Sequence, residues 1–271
     1  MNPCLSPALA LGLAFAASAL HAAEDVPFIT SPDNVTLTML QIARVGPDDF
    51  VLDLGSGDGR IVIVAAKRFG ARGLGVEIVP ALVAKSREAA VAARVSDRAH
   101  FREQDLFKTD LSLASVITLY LLPEVNLQLR PRILALRPGT RIVSHDWDMG
   151  EWEPDKVVKL EVPDKKIGLE KSSKVFLWVV PARIDGDWCG TGRQRGTALH
   201  VDQEFQKVRA EVYDKDDRRA FAGRIEGNIV RVPGGLAFTF DGTRLKATYA
   251  SGKYSPLHNA TFAKRRGPIC K

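Results

Sequence analysis

The pattern of apolar and polar positions changes near residue 181 and divides the chain into two regions. Between residues 33 and 145, short apolar runs typical of buried strands are separated by longer stretches with helical spacing. After residue 181, short apolar stretches are separated by Gly and Asp turns, as in antiparallel sheets. The first pattern predicts an α/β fold, and the second predicts a small all-β module.

Strand and helix patterns alternate in the first region. We predict strands at residues 50–54, 73–77, 99–103, 115–122 and 141–145, and helices at 33–43, 60–69, 80–94 and 124–136. Two more strands, 156–162 and 175–180, are joined by a polar loop without a clear helix. The prediction for residues 24–181 is therefore a Rossmann-like, doubly wound, mostly parallel sheet with an antiparallel hairpin at its edge.

The second region, residues 182–271, contains strand candidates throughout its length. The clearest are residues 198–201, 208–212, 229–232, 236–240 and 245–249, with 187–191 and 258–264 as candidates for the first and last strands. Many short strands joined by turns predict a small antiparallel β module, either a barrel or a sandwich.

The N-terminal 23 residues contain no Asp, Glu, Lys or Arg, and residues 9–20 are rich in Ala and Leu. Small residues follow this run and precede Glu24, which predicts a signal peptide cleaved after Ala22 or Ala23. We therefore expect an exported protein, periplasmic or envelope-associated, without a membrane span, because the apolar run is short. The missing Lys or Arg before the apolar run leaves open a disordered or buried N-terminal helix in a cytoplasmic protein.

Charge is distributed unevenly between the two regions. The whole chain has a net charge of +6, but residues 24–181 carry 21 Lys and Arg against 22 Asp and Glu. Residues 182–271 carry 17 Lys and Arg against 10 Asp and Glu. The basic β module could contact an anionic surface such as the cell envelope, or its charges could simply be solvated. The near-neutral first region argues against a large RNA footprint there.

Three cysteines are present, and Cys4 lies within the predicted signal peptide. Cys189 and Cys270 lie near the two ends of the β module. The first and last strands of a closed antiparallel module are neighbours, so these two cysteines could form a disulfide in an exported chain. Two free thiols are the alternative.

The segment from Asp53 to Gly59 contains the most specific motif. A buried strand ends in Asp53, and Gly55, Gly57 and Gly59 follow at alternate positions before a helix begins. The glycines allow a sharp turn and close approach of a ligand, and the helix N-terminus offers free N–H groups to a ligand carboxylate. Asp53 and Asp58 suit a ligand that also carries cationic groups. Ser56 completes this candidate cofactor-binding loop.

Two further acidic residues follow the next two strands. Glu77 ends the second strand, where an acid accepts hydrogen bonds from the hydroxyls of a ribose. Asp105 follows the third strand, where it could accept a hydrogen bond from an adenine amino group. The glycine spacing G-x-G-x-G differs from the G-x-G-x-x-G of dinucleotide sites.

Residues 27–180 resemble class I S-adenosylmethionine-dependent methyltransferases. More narrowly, they resemble the family that includes the mitochondrial protein-lysine N-methyltransferases acting on the ATP synthase c-subunit and related targets. The matching stretches are residues 27–32, 53–63, 75–77, 105–107 and 119–123. The resemblance implies S-adenosylmethionine as cofactor, with contacts at Asp53, Gly55, Gly57, Glu77 and Asp105. It also implies that Thr30 lies near the methionine end.

Candidate acceptor-side residues follow the fourth and fifth strands. Tyr120 could orient an acceptor nitrogen, and Asp146 or His145 could accept its proton, while Trp147 or Trp152 could face a cation. Tyr120 could equally have a packing role, and a lone His or Trp near a sheet edge is more often structural. We predict no metal site.

Two functions from different classes follow. The first is an S-adenosylmethionine-dependent methyltransferase that acts on a protein lysine or another amine. The second is an exported, envelope-associated binding protein with a non-catalytic Rossmann-like fold, because S-adenosylmethionine is made in the cytosol. RNA methylation is a weaker third possibility.

Overall fold

The computed structural model describes residues 29–165, 170–214, 217–265, 267 and 270. The predicted signal peptide, residues 1–23, lies outside the described residues. Among the residues described, no helix is both long and apolar enough to cross a membrane.

The first unit is a seven-stranded sheet in the order β3-β2-β1-β4-β5-β7-β6. Its strands are β1 Phe50–Leu54, β2 Arg72–Glu77, β3 Ala99–Glu103, β4 Val116–Leu119, β5 Arg141–His145, β6 Lys156–Glu161 and β7 Ser172–Val179. Its helices are α1 Asp33–Ile42, α2 Arg60–Phe69, α3 Pro80–Ala92 and α4 Pro123–Leu134. β1 to β5 are parallel, and β7 is antiparallel to both β5 and β6. The predicted doubly wound sheet with an edge hairpin is confirmed.

Helices cover both faces of this sheet because successive strand residues point to opposite sides. On one face, Val51 of β1 belongs to a buried cluster with residues of α1 and α2. On the other face, Leu52 packs in a cluster with Leu129 and Ile133 of α4. Both faces of β1 are therefore buried, which explains its continuous apolar sequence.

Strand order reverses between β1 and β4, whose connections run to opposite sides of the sheet. Ligands bind at such a switch point, beyond the carboxyl ends of the parallel strands. We call the loops that follow β1 to β5 at this edge the rim. β4 ends at Leu119, earlier than predicted, so Tyr120 and Leu121 belong to the rim. Pro123, with its fixed φ, then occupies the first turn of α4.

The second unit is a closed barrel of eight antiparallel strands. The strands are β8 Gly186–Gly190, β9 Ala198–Glu204, β10 Lys207–Asp214, β11 Asp217–Glu226, β12 Ile229–Val232, β13 Leu236–Phe240, β14 Arg244–Ala250 and β15 Thr261–Lys264. β15 pairs with β8 and closes the barrel. Cys189 and Cys270 form a disulfide in the structure, with Cα atoms 5.2 Å apart.

β11 is the one barrel strand that the sequence pattern did not indicate. Within it, only Phe221 and Ile225 are buried, and charged or small residues occupy most other positions. Pairing with β10 over its length stabilises this strand in spite of its weak apolar pattern.

The barrel packs against the edge of the sheet opposite the rim. Phe205, in the turn between β9 and β10, stacks on Trp152 with ring centroids 6.3 Å apart. The neighbouring Gln206 donates a hydrogen bond from Nε2 to the carbonyl of Glu153 at 2.8 Å. Gly227 approaches Gly139, which precedes β5, so closely that a Cβ at Gly227 would lie 3.4 Å from the Gly139 backbone. The barrel therefore leaves the rim uncovered.

Candidate active site

The loop between β1 and α2 is held against β2 by its own backbone. The N–H groups of Gly55 and Ser56 both donate to the carbonyl of Val76, at 2.9 and 3.0 Å. Gly55, Gly57 and Gly59 have φ angles of 75°, 53° and 78°, a region that favours glycine. A Cβ at Gly59 would also lie 2.6 Å from the ring of Phe101, so this glycine additionally allows close packing.

Asp53 lies at the end of β1 with its side chain buried. Its Oδ1 accepts a hydrogen bond of 2.6 Å from the hydroxyl of Thr118 on the neighbouring β4. Burial raises the pKa of Asp53 to about 7, and the nearby carboxylates of Glu77 and Asp58 act in the same direction. An acid in this state binds a cationic group favourably, because the cation stabilises the ionised form.

Asp58 is paired within the protein. Its carboxylate accepts hydrogen bonds from the guanidinium of Arg60, the shortest at 2.7 Å. Burial alone would raise the pKa of Asp58, but the contacts with Arg60 lower it overall. Arg60 also donates to the carbonyl of Ser31 at 2.9 Å. The pair therefore ties the segment that contains Thr30 and Ser31 to the glycine loop.

Glu77 lies at the rim with both carboxylate oxygens oriented by backbone groups. One oxygen accepts a hydrogen bond of 3.0 Å from Gly57 N, and the other accepts from Ile78 N and Val79 N. Asp105 begins a short 3₁₀ helix and accepts from Phe107 N at 2.8 Å. Both acids lie at carboxyl ends of strands on the β1 side of the sheet, as predicted for contacts with a ribose and an adenine.

The carboxylates around the glycine loop test whether the site fits an adenosine-type cofactor. Asp53 and Glu77 can accept hydrogen bonds from the ammonium and the ribose hydroxyls of S-adenosylmethionine. The positive φ angles of the glycines let such a ligand approach the loop backbone closely. The Ser56 hydroxyl is buried without a partner among the described residues, but it packs against β2, where a Cβ at Gly75 would lie 2.6 Å from Ser56 Oγ. The two acids and the loop therefore fit S-adenosylmethionine.

Tyr120 and His145 form a stacked pair at the ends of β4 and β5, with ring centroids 3.9 Å apart. His145 is 1% exposed. Its Nδ1 lies 2.9 Å from the hydroxyl of Ser31, and its Nε2 lies 3.0 Å from the hydroxyl of Ser173. Burial lowers the pKa of His145 to about 4, so the ring is neutral at pH 7. His145 thus positions Tyr120 and joins three segments of the chain.

Asp146 follows His145 in a left-handed conformation, with φ 61°. Its carboxylate accepts a hydrogen bond from Lys174 N at 2.9 Å and lies 2.8 Å from the ammonium of Lys165. These contacts attach the rim to the edge hairpin. The carboxylate of Asp146 is therefore already engaged by groups of the protein. These contacts do not support the predicted role of Asp146 as a proton acceptor.

The two tryptophans considered for a cation contact have different surroundings. Trp147 is 42% exposed on the rim. Trp152 is fully buried in the core, where it packs against Trp178 and Phe205. The expectation that Trp152 faces a bound cation at the rim is wrong, because the chain turns back into the core after Asp148.

Sequence reasoning missed the residues that support the site from behind. Thr118 orients Asp53, Ser31 and Ser173 hold His145, and Arg60 holds Ser31. A hydroxyl residue inside the apolar run of β4 is the one signal that could have revealed Thr118. The contact between Ser31 and His145 spans 114 positions and has no local signature.

Comparison with known proteins gives a consistent result. The family model of the ANTKMT methyltransferase domain matches residues 53–156. A protein-lysine N-methyltransferase of Saccharolobus islandicus is 41% identical over 138 residues, which are 50% of this chain and 86% of that protein. The Mus musculus lysine N-methyltransferase for the ATP synthase c-subunit is 35% identical over 133 residues, 48% of this chain and 52% of that protein. This chain therefore spans about half the length of the mouse relative.

A solved structure shares both sequence and fold with this chain. It is an RNA methyltransferase from Salinibacter ruber in complex with S-adenosyl-L-homocysteine, 49% identical, with a TM-score of 0.53. The match covers 58% of this chain and 96% of that one. The bound product form of the cofactor agrees with S-adenosylmethionine as the cofactor expected from the glycine loop, Glu77 and Asp105.

Proposed function

Because the chain belongs to the S-adenosylmethionine-dependent methyltransferase family described by the ANTKMT methyltransferase domain, we propose that it methylates the side-chain nitrogen of lysine in a protein. The cofactor supplies an electrophilic methyl group on a sulfonium. Thr30, Asp53, the loop from Gly55 to Gly59, Glu77 and Asp105 are the residues proposed to hold it.

The observation that carries this proposal is the position of Tyr120 beside the glycine loop. Leu121, its neighbour, packs so close to Gly55 that a Cβ there would lie 3.0 Å from Leu121 Cδ2. The stacked, neutral ring of His145 fixes the Tyr120 ring from behind. An aromatic side chain held in this way can orient an acceptor amine beside the methionine end of the cofactor site, and methyl transfer depends mainly on such positioning.

A lysine acceptor has to lose its proton before the reaction. Its ordinary pKa is about 10.4, and transfer into an apolar environment lowers that value. The rim supplies such an environment through large apolar side chains that are exposed in this structure: Ile78, Val79, Phe107, Leu122 and Trp147. An apolar collar around the site suits a protein surface better than the phosphate backbone of RNA, which requires cations.

The proposed reaction is tested with the full chain and labelled S-adenosylmethionine, offered separately to protein and RNA fractions of the natural host. We expect label in methyl-lysine, identified by mass spectrometry of the digested protein. Glu77→Gln should reduce labelling, and Glu226→Gln, an exposed barrel substitution, should not. Label confined to nucleosides would favour RNA as the acceptor, and no label in either fraction would favour the non-catalytic alternative.

We also propose that the protein is exported and that its basic barrel contacts an anionic envelope surface. The uncharged leader and the disulfide between Cys189 and Cys270 support export, because disulfides persist in oxidising compartments. Mass spectrometry of protein from the natural host should find a mature N-terminus near Ala23 or Glu24. Recovery of intact Met1 in the cytosol would contradict export.

A further inference from the structure

A cleft opens at one end of the barrel where β8, β14 and β15 meet the turn that follows β13. It has a volume of about 760 Å³, and we call it the barrel cleft. Four cationic side chains line it, and its lining contains no Asp or Glu: the residues are Arg183, Trp188, Cys189, Gly190, Thr191, Phe240, Gly242, Thr243, Arg244, Ala263, Lys264 and Arg265. The cavity thus contains four of the 17 Lys and Arg residues of the second region.

Most of this positive charge is not neutralised within the described part of the chain. Arg183 and Arg244 make no side-chain hydrogen bond or ion pair with any described residue. Lys264 donates to the carbonyl of Asp185, which is a neutral group. Arg265 has a carboxylate partner, Asp187, at 2.5 Å. Asp241 and Asp187 lie near enough to interact with the charges of Arg244 and Lys264, but neither forms an ion pair with them. Cations that face one cavity repel one another, and an anion in the cavity relieves that repulsion.

The carboxylate of Asp241, which lies beside Arg244, is engaged by backbone N–H groups. Asp241 accepts hydrogen bonds from the N–H groups of Thr243 and Arg244, at 2.8 and 2.7 Å. These bonds stabilise the turn between β13 and β14. Asp241 is thereby held on the turn and does not line the cleft.

Contacts within the barrel position two of the four cations. Lys264 lies on β15 with its ammonium 4.7 Å from the ring centroid of Trp188, which is buried in the barrel. Arg265, directly after β15, is held by its ion pair with Asp187 on β8. Side chains fixed in this way lose little conformational entropy when they bind a ligand.

We propose that the barrel cleft binds a phosphate-type oxyanion. Guanidinium groups present paired donors that match phosphate oxygens, and the lysine ammonium adds a point charge. The cavity is larger than a single phosphate, so it has room for the group to which a phosphate is attached. The barrel packs on the sheet edge opposite the rim, so an occupied cleft leaves the rim accessible.

This inference rests on the geometry of the barrel alone and is independent of methyl transfer. Calorimetry with the full chain measures binding of inorganic phosphate, and co-sedimentation measures binding to phosphatidylcholine vesicles that contain phosphatidic acid. Saturable binding to phosphate points to a soluble phosphorylated ligand, and binding to the vesicles alone points to a lipid headgroup. Either result supports the proposal, and the absence of both overturns it.

Two cleft variants and one matched control locate the binding. Arg244→Gln and Lys264→Gln should each weaken binding at least tenfold, and Arg209→Gln, which removes an exposed charge on β10, should not. Equal losses in all three variants would show general charge attraction and overturn the assignment to the cleft. Lys264 also packs on Trp188, so Arg244→Gln provides the decisive result if Lys264→Gln unfolds. Unchanged binding of S-adenosylmethionine confirms that the first unit is intact.

Discussion

The two units of the molecule differ in where they place polar groups. Among the described residues, fourteen polar or charged side chains are buried before residue 181, and only Thr197 and Gln206 are buried after it. Gln206 faces the first unit, because it donates to Glu153. The barrel interior is therefore almost wholly apolar, and its charges lie outside.

This difference indicates that the interiors of the two units have different roles. Burial of a polar group costs free energy unless a partner compensates for it. In the first unit, Asp53, Ser56 and His145 lie around the cofactor loop, where a ligand or a supporting contact compensates for burial. The barrel is stabilised by apolar packing and a disulfide, so its chemistry has to be outside, as in the barrel cleft. Four predictions test this division.

The largest effect is expected from the disulfide. The double substitution Cys189→Ser and Cys270→Ser removes a link that closes a loop of 81 positions. The chain-entropy estimate for such a loop is about 4.5 kcal/mol, an upper bound for the loss of barrel stability. Hydrogen exchange of β8 and β15 should increase strongly, whereas the Kd for S-adenosylmethionine should stay within about twofold, if the units are independent. Two free thiols in the processed, non-reduced parent chain would contradict the disulfide.

The next largest effect is expected at Gly57. Gly57→Val places a branched side chain at φ 53°, in the loop where the cofactor must approach the backbone. We expect at least a hundredfold loss of S-adenosylmethionine affinity by calorimetry, about 2.7 kcal/mol. Gly252→Val is the control, because Gly252 has φ 56° and nothing within 4 Å of its added Cβ. Equal losses in both variants would mean that strain alone, and not the site, is responsible.

A charge-removing substitution at Asp53 should stabilise the protein without cofactor. Burial raises the pKa of Asp53 from 3.8 to about 7, so the folded state binds the proton more tightly than the unfolded state. Stability therefore falls as pH rises from 3.8 through 7, and Asp53→Asn should recover about 2 kcal/mol at pH 8 while weakening cofactor binding. Chemical denaturation at pH 8 measures the first effect.

Asp49→Asn is a control for which we expect the opposite change in stability. Burial acts to raise the pKa of Asp49, but hydrogen bonds from Ser115 and Gly46, together with Arg141, lower it overall. The ionised form is stabilised by folding at this position, so the substitution should destabilise the protein at pH 8. If Asp53→Asn destabilised the protein to the same extent, burial of the ionised Asp53 carboxylate would not be unfavourable. That result would contradict its raised pKa.

The smallest effect is expected at His145. His145→Gln removes the support of Tyr120 and should cost about 1 kcal/mol of stability at pH 7. Burial holds the pKa of His145 near 4, below its ordinary 6.5, despite the opposing charge of Asp146. In the parent, stability is lost as pH falls from 6.5 towards 4, so the difference between parent and variant should shrink at pH 5. His258→Gln, at an exposed position, should show no such change.

The sequence predicted the elements of the first unit closely, because each strand there is a continuous apolar run bounded by turns. The limits of β1, β3, β5 and α2 agree with the prediction. β4 was predicted too long because Tyr120, Leu121 and Leu122 continue its apolar run after the strand has ended. Local pattern alone does not distinguish an apolar strand from an apolar rim.

The contacts that build the site were less predictable. Asp53, Glu77 and Asp105 were identified from motifs, since each lies at or just after the carboxyl end of a strand in a known fold. The Ser31–His145–Ser173 contacts depend on tertiary packing between distant segments. Trp152 was misplaced because its closeness in sequence to the rim does not reveal the turn of the chain into the core. β11 was missed because only two of its residues are buried.

The closure of the barrel has a consequence for how such proteins arise. Its first and last strands are hydrogen-bonded neighbours, and their ends are joined by the link between Cys189 and Cys270. The barrel therefore completes its own hydrogen bonding without borrowing a strand from the sheet. A gene fusion that appended such a unit to an existing enzyme would need to create only a small contact patch, here around Phe205 and Gly227. The barrel is thus a self-contained unit that can be exchanged, by evolution or by design, while the methyltransferase domain is kept.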